Sequence, residues 1–238
     1  MKITTILFDL DGTLLPMDQE IFVKAYFGGL AKKLVPHGYK ADELINTVWA
    51  GTAAMVKNDG SVTNEIAFWK HFVSLYGEEK ARRDYPIFES FYQENFDEVS
   101  KVCGHDPKAK EIIEFLKEKG IRRVLATNPI FPSVATEKRM AWAGLSPSDF
   151  ELFTTYENSR FCKPNLAYYQ EILEKIGCVP EECAMVGNDV SEDMIASSLG
   201  MQVFLLTDCI INKHDTDISV YPHGNFDELL AWLKKITD

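Results

Sequence analysis

Four short stretches of the chain carry side chains suited to handling a phosphoryl group. In the first, Phe8-Asp9-Leu10-Asp11-Gly12-Thr13-Leu14, two carboxylates stand two residues apart where an apolar run gives out into a glycine. Alternate residues of a strand share one face, so beyond the strand end both carboxylates reach one pocket. Two close carboxylates repel unless a cation or a shared proton relieves them. The arrangement therefore suits a divalent metal, or a nucleophile beside an acid/base. Gly12 permits a sharp turn that leaves backbone N–H groups facing a phosphate. An Asp-Gly pair by itself is also an ordinary strand exit, so the seven-residue string carries the reading, not the dipeptide.

The second stretch, Val124-Leu125-Ala126-Thr127-Asn128-Pro129, again ends an apolar run in a small hydroxyl. Thr127 and the Asn128 amide can donate to phosphoryl oxygens, though Thr-Asn-Pro equally marks a plain strand-to-loop exit. The third, Phe161-Cys162-Lys163-Pro164-Asn165, sets a lysine immediately before a helix expected to begin at the proline. Helix N-termini favour anions, and a lysine there suits a bound anion better than it suits the helix. A solvated surface lysine is the alternative. The fourth, Met185-Val186-Gly187-Asn188-Asp189-Val190-Ser191-Glu192-Asp193, runs from a strand through glycine into a segment expected to be helical from about Asp189 to Gly200. Asp189 and Asp193 then share a helical face. They serve either as N-cap and first-turn acid or, with Asn188, as oxygen ligands for magnesium.

The elements that must position these residues follow from hydrophobic texture. Apolar runs at residues 3–8, 121–126, 150–155, 183–186 and 201–206 mostly lack strict alternation, as strands buried on both faces do. Helical segments separate them. One is capped by Asp106, begins at Pro107, and carries Ile112, Ile113 and Leu116 up to Gly120. Another follows Pro164 and carries Leu166, Tyr169, Leu173 and Ile176 up to Gly177. Alternating strands and helices argue for an α/β, Rossmann-like, doubly wound parallel sheet. In such a sheet ligands bind outside the carboxyl ends of the strands, which is where all four stretches fall. Residues 18 to about 100 show only helical spacing, far more than one crossover needs. They read as an inserted all-helical domain, giving a core of residues 1–14 and 101–238 and an insert of 15–100.

Composition narrows the functional class. The chain has 238 residues and a formal charge of −11, which argues against nucleic acid or an anionic membrane as partner. The site must then be made locally positive by lysine, metal or backbone amides. No run of about 18 apolar residues suggests a membrane span, and the N-terminus reaches Asp9 too soon for a signal peptide. Cys103, Cys162, Cys178, Cys183 and Cys209 form no CxxC pair and read as reduced thiols of a cytoplasmic protein. The five histidines form no metal-binding spacing, and nothing implies a protein partner.

Asp9-Leu10-Asp11-Gly12-Thr13, Thr127, Lys163-Pro164, and Gly187-Asn188-Asp189 with Asp193 resemble the four ordered motifs of the haloacid dehalogenase superfamily. The resemblance covers about two-thirds of the chain. The insert is similar to the helical cap of the phosphoglycolate-phosphatase-like and β-phosphoglucomutase-like members. It implies a magnesium-dependent phosphatase acting on a small phosphorylated metabolite through an aspartyl-phosphate. Asp9 would be the nucleophile, Asp11 the acid/base, and Lys163 the neutralising cation. Leu10, Gly12, Thr13, Thr127, Asn128 and Lys163 would hold phosphate. Asp9, Asp11, Asn188, Asp189 and Asp193 would surround Mg2+. Where the family usually has aspartate directly after the glycine, this chain has Asn188. Either Asn188 or Asp189 then takes the first ligand position, and charge favours Asp189. A phosphomutase shares this apparatus. A 2-haloacid dehalogenase needs neither Asp11 nor metal, and a phosphate-binding module without turnover is the remaining alternative. The cap would decide the substrate, with the polar segment 57–64, or nearby Gly51-Thr52, expected to face the site unless that segment is merely a solvated loop.

Overall fold

The computed structural model describes residues 2–238. Its centre is a six-stranded parallel sheet: β1 (Thr5–Phe8), β2 (Arg122–Leu125), β3 (Leu152–Phe153), β4 (Cys183–Gly187), β5 (Gln202–Leu206) and β6 (His223–Gly224), in the order β3-β2-β1-β4-β5-β6. Phe8 stands opposite Leu125 on one side and Val186 on the other. Strand order therefore reverses about β1, the place where a doubly wound sheet opens a crevice. The sheet is covered on both faces, which is why its strands lack alternation. Ile6, Phe8, Leu125 and Val186 pack into one apolar layer with α5 (Pro107–Glu118), α6 (Ser133–Trp142) and α8 (Phe226–Thr237). Leu7, Val124, Met185 and Leu205 pack into the other with α7 (Leu166–Ile176). The edge strand β6 has no apolar run to announce it. Its two residues pair only with β5, in a stretch that otherwise reads as a loop.

Two helix starts differ from their expected positions. α7 begins at Leu166, with the Asn165 side chain accepting from the Ala167 amide, so Pro164 lies outside the helix. Residues 189–193 form a turn, and a 3-10 helix follows at Met194–Leu199. Asp189 caps this turn, and its carbonyl accepts from the Asp193 amide at 2.9 Å, but the α-helical ladder does not continue beyond it. Asp189 Oδ1 accepts from the Ser191 and Glu192 amides, and Asp193 Oδ2 from the Asp189 amide. The bonds to Asp189 Oδ1 are those of an N-cap.

Between β1 and α5 lies a helical insert: α1 (Gln19–Leu34), α2 (Ala41–Val56), α3 (Asn64–Tyr76) and α4 (Glu78–Ser90). The aromatic run after α4 does not continue it. Phe91–Asn95 is a π-helical turn and Phe96–Val102 a 3-10 segment. A π turn brings residues five apart onto one side, and the Phe91 and Phe96 rings lie 6.0 Å apart, both buried. The two chain crossings between sheet and insert run side by side. Met17 bridges Cys103, and the Gly104 amide donates to the Pro16 carbonyl at 2.7 Å.

Candidate active site

The sheet's carboxyl edge gathers residues from all four stretches. Asp9 directly follows β1, its amide extending the ladder to the Val186 carbonyl at 2.9 Å. Asn188 directly follows β4, and Thr127 comes two residues after β2. Lys163 reaches the same point from the loop between β3 and α7. Its Nζ donates to Asp9 Oδ1 at 2.9 Å and to Asp193 Oδ1 at 2.6 Å. Lys163 is 2% exposed and Asp193 1%. Burial alone pushes the lysine's pKa down. The neighbouring Asp193 and Asp9 outweigh it and hold the ammonium protonated well above its usual range. Burial likewise raises the Asp193 carboxyl, against the pull of Lys163. With one oxygen on Lys163 and the other on the Asp189 amide, Asp193 is the lysine's counterion.

Asp9's second oxygen faces the fourth stretch. Thr13 Oγ1 lies 3.2 Å from Asp9 Oδ2 and 3.0 Å from Asn188 Oδ1, so the two acceptor oxygens converge on one hydroxyl. Asn188 is oriented by its Nδ2, which donates to the Cys209 carbonyl at 2.7 Å. Gly12 makes this closeness feasible. Its φ is +82°, and a Cβ there would overlap the Asn188 side chain. The same turn consumes two of the amides expected to face phosphate. Gly12 N–H donates to the Leu15 carbonyl at 2.8 Å and Thr13 N–H to the Leu10 carbonyl at 3.1 Å. The Leu10 and Asp11 amides have no protein partner among the described residues, and these are the two that remain for a phosphoryl oxygen. Asp189 lines the same cavity as Asp9 and Asn188, its Oδ1 engaged by the local turn. The Asn128 side chain donates to Glu192 Oε2 at 3.0 Å. The Thr127 side chain lines the open cavity, while its carbonyl is held by Thr154 Oγ1 and Tyr168 Oη.

Asp11 pairs with Arg139, a residue that none of the four stretches contains. Arg139, on α6, is fully buried, stacks over the Phe131 ring at 4.5 Å, and donates through Nη1 to Asp11 Oδ2. Asp11 Oδ1 is buried without a partner. Burial raises the Asp11 carboxyl, partly countered by Arg139. A carboxyl with one bare oxygen and a pKa pushed upward by burial has the chemistry of a general acid. Local sequence offered one sign of Arg139. It shares a helical face with Ala135, Thr136 and Met140, all buried, so its spacing put it inward.

Site and insert enclose a cavity of 580 Å³, lined by Asp9, Asp11, Thr127 and Asn188 at one end and by aromatic side chains of the insert at the other. Thr52 lines it, and residues 57–64 do not. That segment docks on the sheet half. Asn64 is fully buried, with its amide on the Ser159 carbonyl at 2.8 Å and its Nδ2 on the Pro129 carbonyl at 3.2 Å. Gly60 lies too close to Phe161 for any side chain. Its polarity serves docking, not the cavity.

The model of the haloacid dehalogenase-like hydrolases matches residues 3–198 of this chain. The chain belongs to that family. Among curated relatives, it is 28% identical over 122 residues to a glyceraldehyde 3-phosphate phosphatase of Methanothermobacter thermautotrophicus, a match spanning 48% of this chain and only 53% of that protein. It is 24% identical over 192 residues to the pyrophosphatase PpaX of Bacillus cereus, covering 79% of this chain and 76% of the relative. In structure it is similar to a protein from Haemophilus somnus described as a predicted phosphoglycolate phosphatase, with a TM-score of 0.61, 19% identity, and 98% and 99% of the two chains covered. That likeness establishes the shared architecture. No helix among the described residues is long and apolar enough to cross a membrane.

Proposed function

We propose that this hydrolase is a phosphatase that cleaves a small phosphomonoester through an aspartyl-phosphate on Asp9. The observation that carries the reading is the buried Lys163 ammonium, held between Asp9 and Asp193 at the edge where the Leu10 and Asp11 amides and the Thr127 side chain converge. A fixed cation beside a carboxylate, with donors arranged around it, stabilises a transferring phosphoryl group mainly by position and charge. Asp9 forms a bond to phosphorus as the bond to the ester oxygen breaks, and Asp11 delivers its proton to that departing oxygen. Water then attacks the aspartyl-phosphate, Asp11 takes the water's proton, and inorganic phosphate leaves with Asp9 restored. The insert acts in this reading as a cap over the site, and the paired crossings at residues 16–17 and 103–104 as its attachment.

Magnesium fits the donors present. Hard oxygens suit it, and Asp9 Oδ2 and Asn188 Oδ1 already meet at the Thr13 hydroxyl. No three carboxylate, histidine or cysteine side chains form a metal cluster among the described residues, so Asp9 and the Asn188 amide oxygen, with the Asp11 main-chain carbonyl, would hold the ion. What supports Asn188 over Asp189 is that the Asp189 carboxylate caps its own turn. When bound, the ion supplies positive charge opposite the phosphoryl oxygens.

Release of inorganic phosphate from p-nitrophenyl phosphate and acetyl phosphate tests the reading. It should depend on magnesium and fall at least about a thousandfold in Asp9→Asn. A wild type that releases phosphate from neither compound, or an Asp9→Asn variant that remains active, overturns it.

A further inference from the structure

The cavity that begins at Asp9 has walls unlike those a small anionic substrate would need. On the insert side they are built of aromatic pairs. Trp49 on α2 lies against Phe27 with centroids 5.3 Å apart, and Trp69 on α3 against Tyr85 on α4 at 4.9 Å. Trp49 is 48% exposed and Val56 on the same helix 46%, and both line the cavity, so these apolar side chains face an open space instead of filling the core. Flat, apolar walls take up flat, apolar ligands by burial and by offset or edge-to-face ring contact.

The charges around these walls are of one sign. Away from the sheet edge, Glu89, Glu137 and Glu157 line the cavity, and Lys213 is its one cationic lining residue among the described residues. Glu137 and Glu157 have local partners, the Ser133 hydroxyl and amide. Glu89 has neither a hydrogen bond nor an ion pair there. Glu65, Glu89 and Glu157 also feel one another. Burial raises the neighbouring Glu65 carboxyl, and Glu157 and Glu89 raise it further. A leaving group with its own negative charge, as in pyrophosphate or phosphoglycolate, would meet repulsion with no cation to offset it except exposed Lys213. A cation would meet aromatic faces and the unpartnered Glu89 carboxylate together.

We infer that the alcohol part of the substrate is an aromatic ring carrying a positively charged group, seated between the Trp49–Phe27 and Trp69–Tyr85 walls and drawn by Glu89 and Glu157. The inference rests on the reading of Asp9 as a phosphatase nucleophile. It separates this chain from relatives whose names specify glyceraldehyde 3-phosphate or pyrophosphate.

A substrate series tests it: 4-(aminomethyl)phenyl, phenyl and 4-carboxyphenyl phosphate, with pyrophosphate, glycerol 3-phosphate and acetyl phosphate. The expected kcat/KM is highest for the ammonium ester and about tenfold or more lower for the carboxylate ester. In Glu89→Gln the spread between those two narrows. The comparison between wild type and variant cancels the intrinsic reactivity of each ester, and Glu89 is exposed, so the fold is not at issue. Trp49→Ala is expected to raise KM for all three aryl esters. A flat or reversed charge order, a spread that Glu89→Gln leaves intact, or pyrophosphate or glycerol 3-phosphate as the best substrate overturns the inference. Turnover of acetyl phosphate without any aryl ester overturns it too, while the role of Asp9 stands. Loss of acetyl phosphate turnover along with the rest removes the phosphatase reading itself.

Discussion

Replacing Asp84 by asparagine removes one buried charge from the wall that carries Tyr85 and Glu89. Asp84 is 2% exposed, and its carboxylate accepts from the Tyr39 hydroxyl at 2.8 Å, Lys80 Nζ at 2.6 Å and Arg83 Nε at 2.9 Å. Lys80 also sits 3.7 Å over the Tyr39 ring. The cluster thus ties α4 to the turn between α1 and α2. Burial by itself raises the Asp84 carboxyl, but the hydrogen bonds from Arg83, Lys80 and Tyr39 outweigh it and hold its pKa at about 2, below the ordinary 3.8. A depressed carboxyl stabilises the fold fully above its unfolded-state pKa, and the contribution is lost as pH falls through the folded value. The drop corresponds to about 2 kcal/mol at neutral pH. It is an upper figure, since the Arg83 side chain is 65% exposed and solvent screens it. About half of that remains at pH 3. Asparagine keeps the shape and loses the charge. Urea denaturation followed by tryptophan fluorescence, to which Trp49 and Trp69 contribute, should find Asp84→Asn weaker by about 1–2 kcal/mol at both pH 7 and pH 5. At pH 3 the gap should shrink by about half. A gap that is absent at pH 7, or equally wide at pH 3, refutes the reasoning.

Two further substitutions probe the sheet edge. Asp11→Asn leaves the buried Arg139 guanidinium without its anionic partner and should cost about 3–5 kcal/mol of stability. The double variant Asp11→Asn/Arg139→Met should recover most of this in thermal denaturation, and a single variant as stable as wild type would show that the pair does not matter. Gly12→Ala forces a side chain into a backbone with φ +82° and against Asn188. A loss of about 1–2 kcal/mol and a higher magnesium requirement for phosphate release are expected, and unchanged values of both would count against the assigned turn.

Much of the fold was legible because its strands are buried on both sides. Continuous apolar runs and the helical spacing between them suffice to imply a parallel sheet covered by helices. The strand ends then bring Asp9, Thr127, Lys163 and Asn188 to one edge. The places where the reading slipped share a cause, since each turns on which group takes a given hydrogen bond. The helix expected from Asp189 is a single turn capped by Asp189 that passes into a 3-10 segment at Met194. The Gly12 and Thr13 amides close their own turn instead of waiting for phosphate. The polar segment at 57–64 looked like a ligand surface, yet Asn64 spends its hydrogen bonds on Pro129 and Ser159 across the chain.

The sequence by itself determined the class of chemistry, because the spacing of Asp9 and Asp11 at a strand end and the topology of a parallel sheet are both local properties of the chain. Tertiary structure alone decided the partners. Asp193 serves Lys163, Asn188 meets Asp9 through Thr13, Arg139 holds Asp11, and Trp49 and Trp69 wall the same space as Glu89. Those contacts join residues far apart in the chain, and no periodicity encodes which distant side chain will complete a buried charge or face an open cavity.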